Sequence, residues 1–486
     1  MERAIRGWRG LGFSSRTGAV RTVFAIPFAL LLALAGAVRA QPAGATASVA
    51  NAPGAQQAAP GPAADGTLPS PLSLREALRL FRERGFDLLL ADAAVQGATG
   101  DAEAASAVQN PSLTGSIGHS YNYDPNLCTP STCSALQLGI GLNDNAAIFD
   151  LLINKRGLRK EVAAAAVAAA KLTRQDAQRT LEFQLKQQFL QAALAKEQLA
   201  FARETAATTR RTRDLNQRKK EAGAVSEADV AKADVQDLEA GRQADQAEQS
   251  LLAAAAAVSF LLGAQQPGAE PSLDTSALDY PSLGPSLGPS LGSLEQQAAG
   301  SLFQTALDSR PDLRALEEQV KRAEAALKLA SRNRIPAVAL SLNYAQEGSG
   351  GSAIQPPTLT FGVQLPLPIF YQQQGEVRRA EADLRTQTAL RSKARAQIAA
   401  EVATAAGGLR IGRSLIDRMK GTMLDRARRA RDLVQIQYER GAASLLELLD
   451  AERTYIAVHG EYLQDLAVYW TAVAQLEQAV GKELRP

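Results

Sequence analysis

The chain has 486 residues, with 53 Lys and Arg against 50 Asp and Glu, and its apolar share of 46% includes only 5% aromatics. Two His, two Cys and three Met argue against a multinuclear metalloenzyme, a thiolate cluster or a metal store, and the balanced charge gives no reason to expect nucleic acid. An Ala-rich, aromatic-poor, charge-balanced composition is that of long packed helices, where the usual relation between length and domain count fails.

Residues 1–40 read as a signal peptide. Arg3, Arg6, Arg9, Arg16 and Arg21 form a basic start, Val23 to Ala37 is apolar, and Val38-Arg39-Ala40 offers small residues for cleavage. A retained anchor is the alternative, but the apolar stretch is short and Pro27 interrupts it. Removing six basic and one acidic residue from 53 and 50 leaves 47 and 49, so the net +3 becomes −2. With no Cys near the cleavage point, no N-terminal lipid anchor is expected. Residues 41–71, rich in Ala, Pro, Gly and Gln, read as a disordered leader.

Residues 72–263 form a first repeat and 301–486 a second, joined by a Pro/Gly/Ser-rich linker over 264–300 that contains PSLGPSLGPSLG. Asp87 and Pro111 correspond to Asp312 and Pro336 at an offset of 225, while Gly157, Gly223 and Gly263 correspond to Gly375, Gly441 and Gly481 at an offset of 218. The seven-residue difference falls between Pro111 and Gly157, where strands and their loop are expected. Each half reads as a short helix, two strands and a long helical hairpin.

The strands are expected at about 112–122 and 135–143, then at about 337–345 and 358–367. Leu113, Ile117 and Tyr121 share one side; Leu136, Leu138, Ile140 and Leu142 share another; the same alternation recurs in Val338, Leu340, Leu342 and Tyr344 and from Leu359 to Leu367. The opposite faces are small and polar, as in a water-filled lumen. This is the pattern and length of membrane strands; a soluble half-buried sheet has the same period. Four strands cannot close a barrel in lipid, so several chains must contribute: three copies give twelve strands and two give eight. Cys128 and Cys133 lie between the first two strands, and export would permit them to pair as a disulfide or leave two free thiols.

The hairpins run over 152–263 and 375–481, with tips near 222–226 and 440–444. The proline-free first arms are long enough for rods of roughly 100 Å. Ile398, Val402, Ala405, Leu409, Gly412, Ile416, Met419 and Met423 step by fours and threes, as do Tyr455, His459, Tyr462, Leu466, Tyr469, Val473, Leu476 and Val480. Gly407, Gly408 and Gly412 are candidates for softening their helix. At the tips, Gly223 and Gly441 suit left-handed C-caps, and Ser226 and Ser444 suit N-caps. Glu227, Asp229, Glu447 and Asp450 follow, where the helix dipole favours acids.

Together these parts resemble the TolC-type outer membrane factors over roughly 72–485. FGVQLPLPIFYQQQGEVRRAEADL (361–384), RGAASLLELLDAE and SRPDLRALE are most like the cobalt–zinc–cadmium and copper–silver efflux branch. The resemblance implies a mainly α fold with a small transmembrane β part: a homotrimer whose twelve-stranded outer-membrane barrel continues into a periplasmic α-helical coiled-coil tunnel. It implies a periplasmic adaptor at the tips, an inner-membrane pump of the RND type, outer membrane lipid around the strands, and passive exit of heavy-metal cations or drugs from a Gram-negative cell. By that resemblance Glu447 and Asp450 ring the tunnel entrance, and Tyr438 closes it against Asp229. The turns Gly223, Ala224, Val225, Ser226 and Gly441, Ala442, Ala443, Ser444 would dock the adaptor. Ala443 stands where some members carry a basic residue, which leaves a salt-bridged lock of that kind in doubt. Arg218, Lys219 and Lys220 are either adaptor contacts or a solvated helix end. His119, His459, Met419 and Met423 are the soft donors, and core packing suits the methionines better than copper. No cofactor, metal site or catalytic constellation is expected. A protein-secretion duct and a poreless periplasmic coiled-coil scaffold are the alternatives.

Overall fold

The computed structural model describes residues 71–119, 136–265, 272–278, 299–347 and 357–482. The signal and leader segments, Tyr121, Cys128, Cys133 and most of the linker lie outside the described residues. The first half holds α1 (Leu74–Arg84), α2 (Phe86–Ser106), β1 (Ser112–His119), β2 (Leu136–Asn143), α3 (Ala147–Leu152), α4 (Lys155–Glu221) and α5 (Glu227–Leu261). The second holds α6 (Ala299–Ser309), α7 (Pro311–Arg332), β3 (Ala339–Glu347), β4 (Thr358–Gln364), α8 (Gln374–Arg418), α9 (Leu424–Glu439) and α10 (Leu445–Val480).

The four strands form one antiparallel sheet in chain order. Register aligns the sequence alternation across it: Leu113, Leu142, Leu342 and Phe361 make one cross-strand row, and Ile140, Tyr344 and Leu359 another. The rows between them are Thr114, Gly141, Asn343, Thr360 and Ser116, Gly139, Ala345, Thr358. One face is therefore apolar and the other small and polar, and a one-residue slip would exchange them. The apolar face is uncovered, with Ile117 at 80% and Leu359 at 69% exposed. The polar face is crowded: a Cβ on Gly139 would lie 2.5 Å from the Ser116 hydroxyl, and one on Gly141 2.7 Å from that of Thr114. β4 stops at Gln364, short of the expected 367, because Pro366 and Pro368 have no N–H to donate.

α4 spans 67 residues, about 100 Å at 1.5 Å per residue. Its buried Ala169, Ala192, Ala193 and Ala195 allow close packing along α5 and α7. The corresponding arm of the second half is not a single regular helix. A π-helical turn over Met419–Met423 separates α8 from α9. It wraps one residue more per turn than an α-helix, so the buried seam runs from Ile398 to Met419 and Met423 falls on an exposed face. Gly407, Gly408 and Gly412 stay within regular helix. A Cβ on Gly412 would lie 3.3 Å from the Tyr469 Cα, so this glycine serves close helix approach rather than bending.

Two cores hold the upper helices. Phe81, Leu185, Phe189 and Val258 form one with Leu72 and Leu273. Those leucines make a parallel bridge, with the Leu72 N–H donating to Ser272 and its carbonyl accepting from Asp274. Part of the expected linker is thus ordered, and its 3-10 turn Thr275–Leu278 sends Leu278 into the second core. That core joins Leu190 of α4 to Ile398, Leu409, Leu466, Trp470 and Leu476, tying both halves together. Beside it, the 3% exposed Arg310 guanidinium pairs with Asp312 at 2.6 Å and with Glu401, and donates to the Ala479 carbonyl at 3.2 Å. The SRPDL segment is therefore a buried ionic clamp on the end of α10.

Candidate functional site at the hairpin tips

Both hairpins turn by the same local chemistry. In the first, the Gly223 N–H donates to Lys220 and the Ala224 N–H to Lys219; in the second, Gly441 donates to Tyr438 and Ala442 to Gln437. This is the paired 5→2 and 6→1 closure of a helix C-terminus, and it needs a left-handed residue. Gly223 and Gly441 supply φ of 74° and 80°. Each returning helix starts in a capping box: Ser226 accepts from the Asp229 N–H, Ser444 from the Glu447 N–H, and each acid accepts back from its serine N–H. Val225 and Ala443 complete the turns, and Ala443 packs against the apolar cluster below.

These hydrogen bonds define what the acids do within one chain. The Ser226 hydroxyl and backbone hold the Asp229 carboxyl below the usual range, and the Ser444 backbone and hydroxyl do the same for Glu447. Asp229 is half-buried and Glu447 exposed, and both are ionised at neutral pH. Asp450, one turn on, is also exposed. Glu447 and Asp450 thus share a solvated acidic edge.

Tyr438 is buried at 3% exposure, and it joins the two halves. Its hydroxyl donates to Asn216 Oδ1 at 2.5 Å, while Asn216 Nδ2 donates to the Thr212 carbonyl at 2.8 Å. Lys219 lies over the Tyr438 ring, 3.8 Å from its centroid, and donates to the Tyr438 carbonyl at 2.7 Å. Leu215, Val434, Leu445, Leu448 and Leu449 pack around the ring. Burial pushes the Tyr438 phenol up, opposed by the Asn216 hydrogen bond; the Asp229 charge adds to the rise. Asp229 therefore acts on Tyr438 through its field, while the hydrogen bond goes to Asn216.

Asn216 and the role of Lys219 escaped sequence reasoning, which took Lys219 as either solvated or an adaptor contact. The usable signal was spacing: Thr212, Leu215, Asn216 and Lys219 share one face of α4. Among the described residues no group of three or more His, Cys, Asp or Glu is arranged to hold a metal. Met419 is buried in the seam, and Met423 is exposed. His459 stacks on Phe201 with ring centroids 3.9 Å apart.

A sheet with an uncovered apolar face and open edges, continued by helical hairpins about 100 Å long, defines one protomer of an outer-membrane tunnel. The chain belongs to the outer membrane efflux protein family, whose sequence pattern matches residues 77–264 and 302–482. It is 24% identical to the cobalt-zinc-cadmium resistance protein CzcC of Cupriavidus metallidurans over 424 residues, covering 85% of this chain and 90% of that one. Its fold is that of the outer-membrane channel OprN, with a TM-score of 0.68, 21% identity, and 85% and 91% of the two chains covered. The Campylobacter jejuni CmeC outer membrane channel gives 0.69 at 16% identity, covering 85% and 86%. The chain is an outer membrane efflux channel of a Gram-negative cell, with a helical periplasmic tunnel.

Proposed function

We propose that this chain is the exit duct of a tripartite efflux system, passive and without catalysis of its own. Three copies of the four-stranded sheet close a twelve-stranded barrel, and their hairpins form the tunnel. The observation that supports closure by several copies is the sheet itself: β1 and β4 are edges, and the face between them is apolar and uncovered. Open edges are not tolerated in lipid. The amino-terminal 40 residues direct export and are removed.

The hairpin tips form the periplasmic entrance. Tyr438, Asn216 and Lys219 tie the two tips of a chain together, with Asp229 biasing the tyrosine. Glu447 and Asp450 from three copies place six carboxylates around the mouth, where like potentials add and concentrate cations. The turns 222–226 and 440–444 dock a periplasmic adaptor, which links the duct to an RND-type inner-membrane pump. The name of the CzcC relative and the 361–384 segment support divalent heavy-metal cations as cargo. A deletion strain tests this directly. Sensitivity to cobalt, zinc or cadmium that the wild-type gene restores supports the metal reading; sensitivity to drugs alone refutes it.

A further inference from the structure

Among the described residues, Glu452 is a buried acid of the hairpins' shared seam that no ion pair or hydrogen bond satisfies. It sits on α10, eight residues past the Ser444 cap and therefore about 12 Å from the tip. It is 5% exposed, and neither carboxyl oxygen has a hydrogen-bond partner. Both α4 and α9 pack against it. On α4, the hydroxyls of Thr205, Thr208 and Thr209 donate to carbonyls of their own helix, at 2.9, 3.0 and 3.1 Å, leaving none for the carboxyl. On α9, Arg431 is committed to Asp432 at 2.6 Å and to the face of Tyr455 at 4.3 Å. Glu204 on α4 also lines the cavity, and His459 on α10 stacks on the cavity's Phe201, where burial keeps it below the usual histidine range. The carboxyl lines a cavity of about 20 Å³, room for about one water.

A neutral carboxyl fits this place; an ionised one does not. Charging it in place requires more water than the single molecule the cavity admits, because Arg431 is held by Asp432. Hydrating it parts α4, whose Thr205, Thr208 and Thr209 line the cavity, from the α9–α10 pair. We propose that Glu452 is a proton-controlled latch on the tunnel: neutral, it seals the seam between α4 and α9–α10; ionised, it releases that pair toward the open entrance. This rests on the duct reading. Burial raises the Glu452 carboxyl from 4.5 to about 7, opposed by Arg431. The packed seam therefore binds the proton more tightly than a hydrated, opened one. Its stability is greatest below about pH 4.5, falls as the pH rises toward 7, and is level above that. The opening equilibrium should shift by on the order of 10²-fold across this range.

The test uses the full-length protein in planar bilayers at pH 5 and pH 8, as wild type and as Glu452→Gln, which keeps the shape and removes the charge. Wild-type open probability should be higher at pH 8 than at pH 5, and Glu452→Gln should hold the pH 5 behaviour at both. A pH response that survives Glu452→Gln, or a flat wild type, overturns the latch. Absence of any wild-type pore would instead overturn the duct reading. The melting midpoint of the assembled protein provides a check that needs no conduction. Glu452→Gln should melt above wild type at pH 8, with a smaller difference at pH 5. An equal gap at the two pH values overturns the latch as well.

Discussion

Tyr438→Phe probes the contact between the two hairpin tips with the smallest change. It removes one hydroxyl and keeps the ring, so the cluster of Leu215, Val434, Leu445, Leu448 and Leu449 still has its centre. Asn216 is 0% exposed, so its Oδ1 loses its donor with no access to solvent. Leaving a buried acceptor unsatisfied costs about 1–3 kcal/mol. At about 1.4 kcal/mol per tenfold, separation of the tips should become roughly 5- to 140-fold more favourable. The assay is single-channel open probability in planar bilayers for wild type, Tyr438→Phe, Asn216→Ala and the double variant. Because both single variants break one bond, the double should open little more than either alone, a coupling of about 1 kcal/mol. Single effects that simply multiply would refute the reasoning, since the two residues would then be acting apart.

Three further substitutions test other parts of the structure. Arg310→Met strands Asp312 and Glu401 beside the α10 terminus, and at 3% exposure it should cost about 3–5 kcal/mol, read as a lower melting midpoint of the assembled protein. Leu113→Lys places a charge on the uncovered sheet face and should cost about 2–4 kcal/mol, measured by unfolding from lipid vesicles. A polar replacement at Thr114 on the opposite face should cost little. Gly223→Ala and Gly441→Ala force alanine to φ of 74° and 80°, and each should destabilise its turn by about 1–2 kcal/mol, seen as faster amide exchange in the tip.

The sequence exposes those features in which each residue answers to its own neighbours. Strand alternation, the left-handed turn glycines and the serine caps all follow rules spanning two to five residues, and they stand where the pattern places them. The π turn at Met419–Met423 was hidden because a 4–3 seam continues through it on paper; only the exposure of Met423 reveals the phase change. The Tyr438–Asn216 bond spans 222 positions and links two halves whose relative register no local rule sets. Glu452 was overlooked for a related reason. DAERTY reads as an ordinary polar helix face until the α4 threonines and Arg431 are placed around it. The tip acids had two readings, capping and gating, and the capping boxes show that the first operates within a single chain.

Everything proposed for this protein depends on three chains closing one pore. The most direct measurement is the mass of the protein extracted from the outer membrane in mild detergent and analysed by native mass spectrometry. A heat-sensitive species of three chains is expected; a monomer, a dimer, or a soluble protein recovered from the periplasm would rule out the trimeric pore.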